Sequence, residues 1–182
     1  MIAEDETDSD ALAMLIRRIR PGVGVTPRHD GGCSAILRKA ERWMQNLALV
    51  GCTAMIIVHD LDHDHFAGKR RDEKKLRAAL SAIPVVGGLP RHVCVPVEEI
   101  EAWFWSDEAI IKRLSGGKKH AHPNPHAIVS PKEELMRISR DAGKKPRYST
   151  SDNEKLAEKL DLVGCAKVCP AFADFQNFVL AS

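Results

Sequence analysis

The hydrophobic positions change period several times along the chain, and each change marks an element. Met1-Ile2-Ala3 is a short apolar run, read as a first strand. Leu12, Leu15, Ile16 and Ile19 then recur at helical spacing, which predicts a helix capped by Asp8 or Ser9 and running to about Arg20. Pro21-Gly22 stops it. Residues 22–27 read as a short strand, Asp30-Gly31-Gly32 as a loop, and residues 34–49 as a second helix ended by Gly51. Residues 53–59 are nearly all apolar, the pattern of a central parallel strand buried on both faces. A third helix over 72–83, a Gly- and Pro-rich loop over 84–90 and a strand over 91–97 follow. From Glu98 to about Leu114 the chain reads as helical, with Ile100, Trp103, Phe104 and Ile111 spaced for burial.

Strand and helix thus alternate four times over residues 1–114, which predicts an α/β core with a parallel sheet sandwiched by helices. Beyond it the pattern changes. Residues 116–131 form a polar loop with two Gly, three His and three Pro, and helices follow at about 131–142, 152–162 and 171–180. Phe172, Phe175 and Val179 share one side of the last helix and predict that it docks back on the sheet. Residues 115–182 are therefore expected to form a basic loop and a helical extension packed on the core. A chain of 182 residues suits one domain with such an extension and can bury a sizeable core.

Composition changes this picture only locally. The net charge is +2, so no overall basicity points to a polyanion. The distribution is uneven. Lys112 to Arg147 holds ten Lys/Arg against three acids, and Lys69 to Arg77 six against two. Each stretch could track a phosphate backbone or be a solvated surface. The five cysteines form no Cys-x-x-Cys pair, and Cys52 and Cys94 fall at or in strands, as buried thiols of a reducing compartment do. There is no signal-peptide pattern and no apolar run of about 18 residues, which predicts a soluble, cytoplasmic protein without a membrane partner.

The chemistry lies in carboxylates that follow apolar runs. Glu4-Asp5-Glu6-Thr7-Asp8 comes after the first strand, and Asp60, Asp62 and Asp64 come after the central one. Parallel strands deliver the residues at their carboxyl ends into one crevice. Acids gathered there repel one another unless a cation lies between them, and hard oxygen donors suit Mg²⁺ or Mn²⁺. Asp60 and Asp62, two apart, can face the same side. Asp64 could join them from the next turn. Each acid also has a plainer role as a cap or as a dipole partner at a helix start. His59, His63 and His65 interleave with them and raise zinc as an alternative, but no further Cys or His pair completes a zinc set, and solvent-exposed histidines are expected. The fourth strand likewise runs into acids, Glu98-Glu99-Ile100-Glu101. Glu98 and Glu101 lie one helical turn apart and could extend the same site.

Three of these segments, in order, resemble Toprim motifs. Ile2-Ala3-Glu4-Asp5-Glu6-Thr7-Asp8 resembles the first, a strand, a Glu and a second acid four residues on. Ile57-Val58-His59-Asp60-Leu61-Asp62 resembles the Asp-x-Asp motif. Glu101-Ala102-Trp103-Phe104-Trp105-Ser106-Asp107 looks like the Glu-Ala-Trp signature of a small bacterial Toprim-like family of unknown function. That family is similar to the nuclease domain of the overcoming-lysogenisation-defect proteins. The resemblance covers about residues 1–108 and implies a Toprim-like, Rossmann-like sheet. It implies a metal-dependent nuclease or nuclease subunit, acting on nucleic acid, in a defence system with an ATPase partner. Glu4, Asp60 and Asp62 would be catalytic, and Glu4, Asp8, Asp60, Asp62 and Glu101 would ligate Mg²⁺ or Mn²⁺, with Asp64 and Glu98 the further ligand candidates that their positions give. Lys118, Lys119, Lys144 and Lys145 would hold the nucleic acid. Asp5 stands where the motif usually has Gly. The alternative is a non-catalytic Toprim-like or receiver-like module for binding or signalling. The receiver form needs a Ser or Thr after the fourth strand, where this chain has Glu98-Glu99.

Overall fold

The computed structural model describes residues 1–29, 32–61, 63, 64, 69–141 and 144–182, with the side chains of 32, 33, 63, 64, 69 and 70 outside the description. Its order of elements is α1 (Glu6–Ile19), α2 (Gly32–Leu49), β1 (Met55–Val58), β2 (His63–Asp64), β3 (Lys69–Arg70), α3 (Glu73–Ser81), β4 (Arg91–Cys94), α4 (Glu101–Phe104), α5 (Glu108–Ser115), α6 (Pro131–Ile138), α7 (Asn153–Lys159), α8 (Leu162–Val168) and α9 (Pro170–Ala181). This is a mixed α/β chain around a small parallel sheet.

β1 pairs in parallel with β4, Met55 opposite Arg91 and Val58 opposite Cys94. The first residues extend the sheet on the other side of β1. Ile2 N–H donates to Ile56 O at 2.8 Å, and Val58 N–H to Ile2 O at 2.9 Å. Beyond Ile2 lies Arg28, whose N–H donates to Met1 O at 2.8 Å while Ala3 N–H donates to Arg28 O at 3.0 Å. The spatial order is therefore Arg28, Ile2, β1, β4, with parallel pairing throughout. The strand expected over 22–27 is reduced to the bridge at Arg28. Pro27 has no N–H to add to a ladder.

Alternate residues of the strands enter two cores, as the two-residue period requires. Ile2, Met55 and Ile57 pack with Ile36, Met44 and Leu47 of α2 and Leu80 of α3. Met1, Ala3, Ile56 and Val58 pack on the opposite face with α1, α4 and the C-terminal helices. The helices after residue 115 thus share a core with α1. Arg18 fastens the contact by donating to Ala157 O at 2.6 Å and Leu160 O at 2.8 Å. Phe172 and Phe175 of α9 meet Trp103, the first ring edge-on at 5.0 Å. Such pairs add about 0.5–1.5 kcal/mol beyond the area they bury.

Several boundaries differ from the sequence expectation, each for a local reason. α1 is capped by Asp5, whose side chain accepts from Asp8 N–H at 2.9 Å. Asp8 therefore sits inside the first turn instead of capping it. The single helix expected over 98–114 is split. Glu98 adopts φ 65°, and Asp107 starts α5 afresh by accepting from Ala109 N–H at 2.8 Å and Ile110 N–H at 3.0 Å. The helix expected over 152–162 ends at Lys159, and Asp161 caps a further helix, α8, by accepting from Val163 N–H at 3.1 Å. β2 and β3 form an antiparallel ribbon, where a turn was expected. Cys94, Cys165 and Cys169 are buried free thiols and Cys52 is half-buried. Among the described residues, no helix is long and apolar enough to cross a membrane.

Candidate functional site

The pairing of Ile2 with Ile57 brings the ends of two strands together, and with them their acids. Asp60 N–H donates to Glu4 Oε1 at 3.0 Å. The chain beyond β1 stays extended, since His59 N–H donates to Cys94 O at 3.1 Å and Leu61 N–H to Pro96 O at 3.0 Å. Asp60 is thereby held at the carboxyl edge of the sheet and is only 8% exposed.

His59 is the first residue the sequence reading misplaced. It is 1% exposed, not solvated. Its Nδ1 lies 2.8 Å from Asp60 O and 3.2 Å from Glu4 Oε1. Both neighbours accept, so Nδ1 carries the proton. The ring ties the backbone of Asp60 to the carboxylate of Glu4.

Asp8, one turn into α1, is buried among other acids. Burial first, then the carboxylates of Glu101, Asp5 and Glu4, push its carboxyl up to about 8, while Lys132 pulls the other way. Glu101 is buried as well, and burial holds its carboxyl above the usual range against the hydrogen bond from Asn153. That bond, from Asn153 Nδ2 to Glu101 Oε1, measures 3.0 Å. Tyr148 OH donates to Asn153 Oδ1 at 2.7 Å and lies 3.3 Å from Glu101 Oε1. Burial and then Glu101 hold the Tyr148 phenol protonated. Glu98 is 1% exposed at the turn between β4 and α4. A non-glycine residue at its φ of 65° costs about 1–2 kcal/mol.

A cation that no motif marked stands beside these acids. Lys132 Nζ is 2.9 Å from Glu99 Oε1, and its N–H donates to Glu99 Oε2 at 3.1 Å. Burial opposes its charge, but Glu99, Glu101 and Glu133 outweigh that and hold the ammonium above its ordinary range. In the sequence it is one of ten cations in the basic stretch, and only the fold distinguishes it.

Glu4, Asp8, Asp60, Glu98 and Glu101 thus gather at or behind one edge of the sheet. Asp62 lies outside the described residues. So does the side chain of Asp64, whose backbone pairs with Lys69 in the ribbon. Among the described residues, no three His, Cys, Asp or Glu side chains are close enough together to hold a metal ion. The donors present fit a hard divalent cation in kind, being carboxylates whose mutual repulsion is incompletely balanced at Asp8. They fall short of a full coordination set in number.

Lys118, Lys119, Lys144 and Lys145 are exposed, and none forms an ion pair with a described residue. Arg147 joins their two segments, donating from its guanidinium to Leu114 O at 2.9 Å and Ser139 O at 3.1 Å. The next residue is Tyr148, which contacts Glu101, so the second lysine pair shares a strand of chain with the acid site. Other cations of the stretch are engaged, Lys112 with Glu108 and Arg137 with Glu134.

One cavity, about 430 Å³, opens at the acidic edge, with Leu61 and Val97 in its lining. Another, about 390 Å³, opens at the opposite end of the strands, by Gly51 and Cys52, away from the acids. No protein-family model matches the chain, and neither a curated protein nor a solved structure matches it.

Proposed function

We propose that this protein is a divalent-metal-dependent phosphodiesterase acting on nucleic acid, built on a Toprim-like, Rossmann-like sheet. The observation that carries the reading is the meeting of Glu4 and Asp60. The Glu4 carboxylate accepts from the backbone N–H of Asp60, 56 residues along the chain, so the two acids neighbour one another at the carboxyl edge of a parallel sheet. Asp8 and Glu101 sit behind them, and two cores on opposite faces of the sheet hold the arrangement.

In this reading Glu4 and Asp60 would be two of the donors for Mg²⁺ or Mn²⁺, and the rest of the set would come from Asp62 and the Asp64 side chain, outside the described residues. Such a metal neutralises charge on the phosphate and lowers the pKa of an attacking water. The remaining steps belong to side chains of the chain itself. His59 fixes the Glu4 carboxylate against the Asp60 backbone, so that it is oriented before substrate arrives. Tyr148 and Asn153 fix Glu101. Lys132 brings one positive charge to the acidic edge, which stabilises developing negative charge on phosphate. The exposed lysines hold backbone phosphates at the rim.

A cleavage assay on single-stranded and duplex substrates with Mg²⁺ or Mn²⁺ tests the reading. Wild type should cut, and Asp60→Ala should lose more than the roughly 10–100-fold that loss of an outer partner costs a metal site. A well-folded wild type that cuts nothing with either metal would favour the second reading, a binding module of the same fold. The shortfall of gathered ligands among the described residues is the observation on that side. The receiver-like form of that module is disfavoured by the exit of β4, Val95-Pro96-Val97-Glu98, which offers no hydroxyl.

A further inference from the structure

The cavity of about 430 Å³ lies at the same carboxyl ends of β1 and β4 as the acids, but between α3 and α9. Leu61, the residue after Asp60, and Val97, the residue before Glu98, give it an apolar wall. Its other wall carries two arginines. Arg77 of α3 has Nε 2.7 Å from Glu73 Oε1 and a terminal nitrogen 3.4 Å from Val95 O. These contacts fix the guanidinium and use only part of its set of N–H donors. Arg71 lines the cavity just ahead of α3, and His126 lines it from a short 3-10 turn, Pro125–Ala127. Pro170 and Ala171 bring in the first turn of α9. That helix has no side-chain cap and no acid in its first turn, and its first internal bond is from Ala173 N–H to Cys169 O at 3.0 Å. Ahead of it Pro170 has no N–H and Cys169 N–H donates to Cys165 O at 2.8 Å, so Ala171 and Phe172 carry the N–H groups without a partner in the helix, at the positive end of its dipole. Two acids also line the cavity. Glu73 is bound to Arg77, and Asp174 is exposed one turn along α9.

A fixed arginine fork and an uncapped helix start are both phosphate-binding chemistry. The volume falls within the about 300–1,000 Å³ of small-ligand sites and exceeds what a bare phosphate needs. We propose that this cavity is a nucleotide subsite. The phosphate of a nucleoside monophosphate unit would lie at Arg71, Arg77 and the start of α9, with its sugar and base along Leu61 and Val97. The unit reaches the cavity either as a free nucleotide or as the phosphorylated end of a strand. In the second case the inference rests on the phosphodiesterase reading, because the next phosphodiester along would lie toward Asp60.

The test is binding of adenosine 5′-monophosphate to the full chain in EDTA. Competitors are inorganic phosphate and one single-stranded oligonucleotide made with and without a terminal phosphate. The mononucleotide should bind more tightly than inorganic phosphate. Arg71→Glu and Arg77→Gln should each weaken it about tenfold or more. A melting curve for each variant separates loss of binding from loss of fold. Displacement by the phosphorylated oligonucleotide alone identifies a strand end as the source. Displacement by neither identifies a free nucleotide. Absence of mononucleotide binding, undiminished binding in both variants, or equal displacement by both oligonucleotides would overturn the proposal. The binding assay in EDTA needs no metal and so reads the cavity apart from cleavage. Mononucleotide binding without any metal-dependent cleavage therefore removes the phosphodiesterase reading alone, and cleavage without mononucleotide binding removes the subsite alone.

Discussion

Asp8 is where burial and like charge act on one carboxyl. Folding raises it from 3.8 to about 8, so across that interval the folded chain holds a proton that the unfolded chain has lost. Stability of the metal-free protein is then fullest below about pH 4 with respect to this group. It declines as pH rises to about 8 and levels off above that. Asp8→Asn should flatten the decline, and superimposable profiles of Tm against pH for the two proteins would show that Asp8 does not carry it. At this scale the sequence pointed to two acids that the fold makes neighbours, because Glu4 and Asp60 each follow an apolar run. It did not reveal their supports. His59 looked like one of several histidines among solvated acids, and Lys132 like one of ten cations. Tyr148 and Asn153 reach Glu101 across about fifty residues of chain, a distance no spacing rule spans.

Among the elements, the turn from β4 into α4 carries strain. Glu98 holds φ 65°, which glycine adopts freely and alanine does not. Glu98→Gly should therefore be more stable than Glu98→Ala by about 1 kcal/mol, although both lose the carboxylate. Equal melting of the two variants would rule out strain at this turn. The neighbouring break between α4 and α5 has a signal in the sequence that the apolar spacing masks. The apolar spacing of Ile100, Trp103, Phe104 and Ile111 is helical, but Asp107 is a cap residue in its midst. Asp107 also accepts from Asp161 N–H at 2.7 Å, so one side chain starts α5 and holds the chain entering α8. Asp107→Ala should cost about 1–2 kcal/mol, read as a fall in Tm of several degrees. The sheet was harder to read. Its first two strands are single bridges, and their existence depends on β1 being there to pair with.

For the whole molecule, the layering followed from the pattern of apolar runs, and the placement of charge did not. The cations between Lys112 and Arg147 include some bound to acids, such as Lys112 and Arg137, and four exposed lysines on the segments that Arg147 joins. If those four hold backbone phosphates, nucleic-acid binding should fall with salt at a log–log slope of about −0.9 per duplex phosphate contacted. Lys118/Lys119/Lys144/Lys145→Ala should make that slope shallower, and an unchanged slope would assign the lysines to bare solvent. The central claim is narrower than nucleic-acid binding: the buried acids at the carboxyl edge of the sheet are held together for a divalent cation. Thermal melting with and without Mn²⁺, for wild type and Asp60→Ala, tests it most directly. At one hundred times its dissociation constant, a bound ion adds about 2.7 kcal/mol. For a chain of this size that raises Tm by roughly 5–11 °C. Wild type should show that rise and Asp60→Ala should show little of it. No rise in wild type, or equal rises in both, would contradict the account.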